Sequence, residues 1–163
     1  MVSRGAVSEG EITIADLRAV PHFAADVADR VWRAWWKPKG APLEHIADLV
    51  EESLGGGLMP AAFVAHRGPT FIGTASVIAS DMEERPQFTP WVAAVWVDPP
   101  FRRQGIGGTI VGHAARAAFA AGSNTIYLCA VPAKRPFYQR LGWSLHEQGV
   151  GDHQLDVFAL KAD

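Results

Sequence analysis

The chain has 163 residues, 48% of them hydrophobic and 20% charged, with a formal net charge of −2. Such a composition suits one globular domain with a substantial core and excludes a disordered chain. The weak negative charge argues against a nucleic-acid coat or a polybasic membrane binder, so any anion site must be local. A single cysteine, Cys129, rules out an internal disulfide framework. No apolar run reaches the roughly 18 residues of a membrane span, and MVSRGAVSEG lacks the apolar stretch of a signal peptide. These features describe a cytoplasmic protein with no nucleic-acid or membrane partner. Residues 1–10 read as a flexible lead-in and 11–163 as one domain.

Glu11 to Ala15 alternates and reads as a first strand. Pro21 opens a helix to about Trp36, with Phe23, Val27, Val31 and Trp35 spaced by four. A second helix runs from Pro42 to about Leu54, ended by Gly55-Gly56-Gly57. Ala61–His66 and Thr70–Ser80 are strands around a Gly68-Pro69 turn, followed by a charged loop from Asp81 to Pro86 and a buried strand, Trp91–Asp98. After the stretch PFRRQGIGG comes an alanine-rich helix, Ile106 to about Ala121. A strand at Thr125–Val131, a short helix at Pro136–Leu141 and strands at Trp143–Glu147 and His153–Leu160 complete the chain. The order predicts a mixed α/β sheet with helices on both faces.

PFRRQGIGG lies between a buried strand and a helix. A dinucleotide fingerprint would need glycine at position 110, which is Ile110, and a P-loop would need Gly-Lys-Ser/Thr, which is missing. A helix start nonetheless offers unpartnered N–H groups and partial positive charge. Glycines let a large anion approach them, and Arg102 and Arg103 add charge at the rim. The stretch is a packing turn or a diphosphate cradle.

Arg102, Gly105 and Gly107 match Arg/Gln-x-x-Gly-x-Gly/Ala, and Tyr138-Gln139-Arg140-Leu141-Gly142-Trp143 matches a second, downstream signature. On these two motifs the chain resembles the GCN5-related N-acetyltransferase (GNAT) superfamily. The resemblance implies a GNAT acyl-CoA N-acyltransferase fold with a predominantly antiparallel sheet, and acetyl-CoA as cofactor. It implies that the backbone of Arg103, Gln104, Gly105, Ile106, Gly107, Gly108 and Thr109 binds the pyrophosphate. The edge of Val95, Trp96 and Val97 would hold the pantetheine arm, and an N–H there would steady developing negative charge. Tyr138 matches the position that protonates the departing thiolate, an exchange between groups of similar acidity. Phe137 packs either on the pantetheine or in the core. Val131 stands where many relatives carry asparagine.

The general base is not evident, because the fourth strand has no carboxylate before Asp98, which reads as a turn or cap residue. Asp81, Glu83 and Glu84 lie in the loop that borders the acceptor site in similar enzymes, where they would attract a cationic amine or simply be solvated. Trp35, Trp36 and Trp91 are core residues or acceptor-pocket walls. Cys129 reads as an inert buried thiol, and the six histidines lack metal-ligand spacing. The expected activity is direct attack of a primary amine on acetyl-CoA in a ternary complex. The amine could belong to a small molecule, a peptide or a protein. The alternative is a non-catalytic acyl-CoA-binding or regulatory module, and the oligomeric state, monomer or homodimer, stays open.

Overall fold

The computed structural model describes residues 11–163, so the expected lead-in lies outside the described residues. Among these residues seven strands form one sheet: β1 (Thr13–Asp16), β2 (Ala61–Arg67), β3 (Thr70–Ile78), β4 (Trp91–Val97), β5 (Thr125–Ala130), β6 (Ser144–Val150) and β7 (Leu155–Lys161). Their order is β1-β2-β3-β4-β5-β7-β6, with every neighbour antiparallel except β4 and β5. The last two strands are therefore swapped relative to chain order, which puts β6 at the sheet edge.

Among the described residues four α-helices cover the sheet: α1 (Ala24–Val31), α2 (Leu43–Glu52), α3 (Ile106–Ala120) and α4 (Arg135–Arg140). The continuous helix expected from Pro21 to Trp36 is three pieces. A 3-10 turn at Pro21–Phe23 leads into α1, and a π-helical turn spans Trp32–Trp36. Gly40 ends the segment at φ 82°, a left-handed conformation that costs a glycine little.

On one face, Ile106, Ile110, Val111, Ala114 and Ala118 of α3 pack against Phe63, Ile72, Val77, Val92 and Leu128. Small alanines bring that helix close to the sheet. On the other face, Val27 and Val31 of α1 and Ile46 and Val50 of α2 cover Ala62, Val64 and Phe71. A third cluster, Met82, Trp91, Val150 and Val157, lies beneath the loop from Asp81 to Pro90. Trp91 is fully buried there, and its Nε1 donates to the Phe88 carbonyl at 2.6 Å. That corrects the pocket-wall reading of Trp91: it is core, and it anchors the loop.

Candidate active site

The parallel pair β4–β5 has one aligned position, Trp91 opposite Tyr127. Beyond it the strands part and the sheet forks. On the other side of β4, Thr74 pairs with Trp96 and Ser76 with Ala93, so two residues, Ala94 and Val95, face the single Ala75. This is a β-bulge, and Ala94 takes the left-handed φ of 54° there. The bulge re-aims the backbone of β4 at the level where the fork opens.

Asp98 N–H bonds to the Ile72 carbonyl at 2.8 Å. By the alternation of an antiparallel ladder, the N–H and C=O of Trp96 also point to β3, while those of Val97 face the fork. The Val97 carbonyl is already occupied, because Arg102 Nε donates to it at 2.7 Å. Among the three strand residues singled out from sequence, Trp96 thus offers no free backbone group, and Val97 offers its N–H.

At the end of β4, a 3-10 turn at Pro99–Phe101 leads into the glycine loop. Arg103 has φ 64° and Gly105 φ 80°, both left-handed. Gly105 is the N-cap of α3 and no side chain caps the helix. The helical bonds begin with Thr109 N–H to the Gly105 carbonyl at 3.1 Å. The N–H groups of Ile106, Gly107 and Gly108 consequently have no helical acceptor, and the positive end of the helix dipole lies behind them. Thr109 Oγ1 donates to the Gly105 carbonyl at 3.0 Å instead of reaching outward.

A Cβ on Gly107 would stand 3.6 Å from both Phe137 Cζ and Val97 Cγ2. Strand, glycine loop and α4 therefore converge at this one position. Gly108 is different: a Cβ there would come within 2.8 Å of Leu141 Cδ2, so its small size serves the packing of α3 on the α4 end. Arg102 does not stand free at the rim. Its guanidinium lies 4.5 Å above the Trp96 ring. Arg103 and Gln104 remain exposed.

Tyr138 on α4 is buried, with its ring 4.9 Å from Phe137 and 5.5 Å from Phe158. Burial, and secondarily the neighbouring Cys129, pushes the phenol up to about 12. It is a weaker acid than its sequence context suggests. The Cys129 thiol on β5 is raised as well: burial first, then the Asp81 charge, pushes it up to about 12.

Alternation along β5 puts Tyr127 and Cys129 on the face opposite α3, in the third cluster. Cys129 Sγ donates to Asp81 Oδ2 at 3.4 Å. Asp81 is exposed over much of its surface, but loss of water around its carboxyl pushes it up to about 6, against the lowering effect of the thiol hydrogen bond. Its two acidic neighbours do not join it. Glu84 lies against the β6–β7 turn, where a Cβ on Gly151 would meet its Oε2 at 2.9 Å, and Glu83 is exposed. Arg85 Nε binds Glu147 Oε2 at 2.6 Å and ties the loop to β6.

Asp98, read as a turn residue, accepts from Arg30 Nε at 3.1 Å and from Trp96 Nε1 at 2.8 Å, clamping α1 to the end of β4. Beside this clamp lies an open hollow of about 540 Å³, bounded by Asp29, Arg33 and Pro100 among others. Its charges are already paired, Arg33 with Asp29 and Arg30 with Asp98, so the fork is the better site. Trp35 is exposed and meets the Trp96 ring edge-on at 6.4 Å. No group of three potential metal ligands occurs among the described residues.

A forked sheet whose central strand runs into a glycine-capped helix defines an acyltransferase-type architecture, and the comparisons agree. The chain belongs to the GNAT acetyltransferase family: residues 27–143 match the family model described as Acetyltransferase (GNAT) family. No curated protein matches the sequence. Among solved structures, YncA of Salmonella typhimurium with its cofactor acetyl-CoA superposes with a TM-score of 0.72 at 18% identity, over 93% of this chain and 94% of that one. An aminoglycoside 6'-N-acetyltransferase complexed with coenzyme A gives 0.71 at 17% identity, over 91% and 96%. ElaA of Escherichia coli gives 0.67 at 16% identity, over 93% and 100%. At these identities the likeness is one of fold. The fold expected from the two motifs is the one observed.

Proposed function

We propose that the chain is an acetyl-CoA-dependent N-acetyltransferase acting on a primary amine in a ternary complex. The observation that carries this reading is the convergence of Gly107, Val97 and Phe137 beneath the unpartnered N–H groups of α3. A long ligand with a diphosphate fits there. The N–H groups of Ile106, Gly107 and Gly108 would hold the phosphates at the positive helix end. The Val97 N–H and the Phe137 ring would hold the narrow arm, which the fork directs toward the bulge.

When bound, acetyl-CoA supplies a thioester carbonyl open to attack by an amine. The protein's contribution is positional and electrostatic. The backbone N–H groups of the Ala94 bulge would steady negative charge developing on the carbonyl oxygen. Tyr138 holds a proton on the α3 face, next to the cradle. Asp81 lies on the opposite face, where an amine would enter, and its negative charge favours a cationic acceptor. Glu83 and Glu84 add to that field at longer range.

The test is an acceptor screen in which amines and peptides are incubated with acetyl-CoA and products are read by mass spectrometry. An acetylated amine is expected. Tight acetyl-CoA binding without turnover of any amine would favour the non-catalytic module, a reading to which the lack of a carboxylate within β4 lends its weight.

A further inference from the structure

We propose that Asp81 is the base that deprotonates the incoming amine, and that the Cys129 thiol is the positioning group that aims it. This rests on the acetyltransferase reading above and names a residue for its missing step. Position comes first. In a parallel pair, two residues beyond Trp91 and Tyr127 bring Ala93 and Cys129 to the same level, and the bulge at Ala94 begins there. A carboxylate in contact with Cys129 is therefore at the lip of the fork, level with the bulge. It also lies on the face opposite Tyr138. Acid and base flank the gap from two sides.

Availability comes second. Four other carboxylates on or beside the sheet are committed to cations: Asp98 to Arg30, Asp156 to Arg135, Glu147 to Arg85 and Asp16 to Arg18. Among the described residues, no cation lies within salt-bridge distance of Asp81. The side chain in contact with it is Cys129 on β5, and the charged groups beside it in its own loop are Glu83, Glu84 and the Glu147-paired Arg85. An ion-paired carboxylate is a poor base, whereas Asp81 keeps a free oxygen in a partly desolvated setting.

Direction comes third. Burial first, and then the Asp81 charge, keeps the Cys129 thiol protonated, so toward the carboxylate it donates. That bond occupies Oδ2 and leaves Oδ1 for the amine. The proton balance then closes. An ammonium acceptor loses two protons as the new C–N bond forms. One passes to Asp81 and on to solvent, and the other ends on sulfur as the C–S bond breaks.

The experiment compares wild type with Asp81→Asn, Cys129→Ala and Cys129→Ser. Turnover is measured with acetyl-CoA and spermidine, kanamycin or an alanyl peptide across pH. Acetyl-CoA affinity is measured by calorimetry, the Asp81 carboxyl by carbon-13 titration, and Cys129 by iodoacetamide alkylation. Asp81→Asn should lower kcat/KM by about 100-fold or more and remove the acid limb of the pH profile, with acetyl-CoA affinity unchanged. It should also speed alkylation of Cys129 by removing the adjacent charge. Cys129→Ala should move the acid limb to higher pH, and Cys129→Ser should restore it. Wild-type turnover with an Asp81→Asn variant of normal rate and pH profile overturns the base assignment alone. Absence of acetyl-CoA binding by wild type overturns the acetyltransferase reading itself. If none of the three amines is acetylated, the titration decides: a midpoint in the ordinary aspartate range sinks the proposal, and one near 6 with faster alkylation in Asp81→Asn supports it.

Discussion

Gly107 has room for one methyl group and little more. A Cβ at ordinary contact distance from Phe137 and Val97 means that Gly107→Ala should fold and bind, whereas Gly107→Glu puts a long anionic chain into the cradle. The expected result is at least a 100-fold loss of acetyl-CoA affinity by calorimetry in a protein that still unfolds cooperatively. Asp81 makes a different prediction. Its carboxyl is raised to about 6, so the folded state binds this proton more tightly than the unfolded chain does. Its effect on stability is therefore unfavourable above pH 6 and fades as pH falls toward 4. Asp81→Asn should raise Tm at pH 7 to 8, with the gain shrinking below pH 5. An unchanged Tm across that range would remove the desolvation argument. Gly107 was legible because its motif is contiguous. The Asp81–Cys129 contact was not, since 48 residues separate the partners and neither has a local signature.

Among the elements, β4 is the one on which the others depend. Its close approach to β3 rests on Gly73, where a Cβ would come within 2.6 Å of the Trp96 carbonyl oxygen and 3.0 Å of Ile110 Cδ1. The first neighbour is backbone and cannot swing away. Gly73→Ala should cost about 1–3 kcal/mol in urea unfolding, and it should weaken acetyl-CoA binding by shifting β4 against α3. Retained stability would mean the strands have slack that their register does not suggest. The type and order of these elements were readable from apolar spacing and turn residues. The π-helical turn at Trp32–Trp36 was not, because spacing by four continues across it. The bulge at Ala94 was equally hidden, since alanine carries no preference for its conformation.

For the whole molecule, two halves of a sheet meet at a narrow seam, bridged by α3. A ligand in the fork touches both halves, so it should stabilise them together. At about 100 times Kd, acetyl-CoA should add about 2.7 kcal/mol, read as a rise in Tm. Failure to shift would count against the cradle. Apolar spacing and turn residues alone do not give the strand order across this seam. β7 comes to lie between β5 and β6 through long-range pairings such as Cys129 with Val157, which leave no trace in local spacing.

The fork has a consequence for solvent exchange. β4 is central by position, yet beyond Trp91 it has a hydrogen-bonded neighbour on one side only, which makes it an interior edge. Its amides should exchange with deuterium in an alternating pattern. Trp96, bonded to β3, should be slow, and Val97, facing the gap, should be fast although it lies in the middle of a seven-stranded sheet. An extended ligand that supplies the missing acceptor would erase the alternation, so a single amide could report occupancy of the fork without any knowledge of the amine that is acetylated.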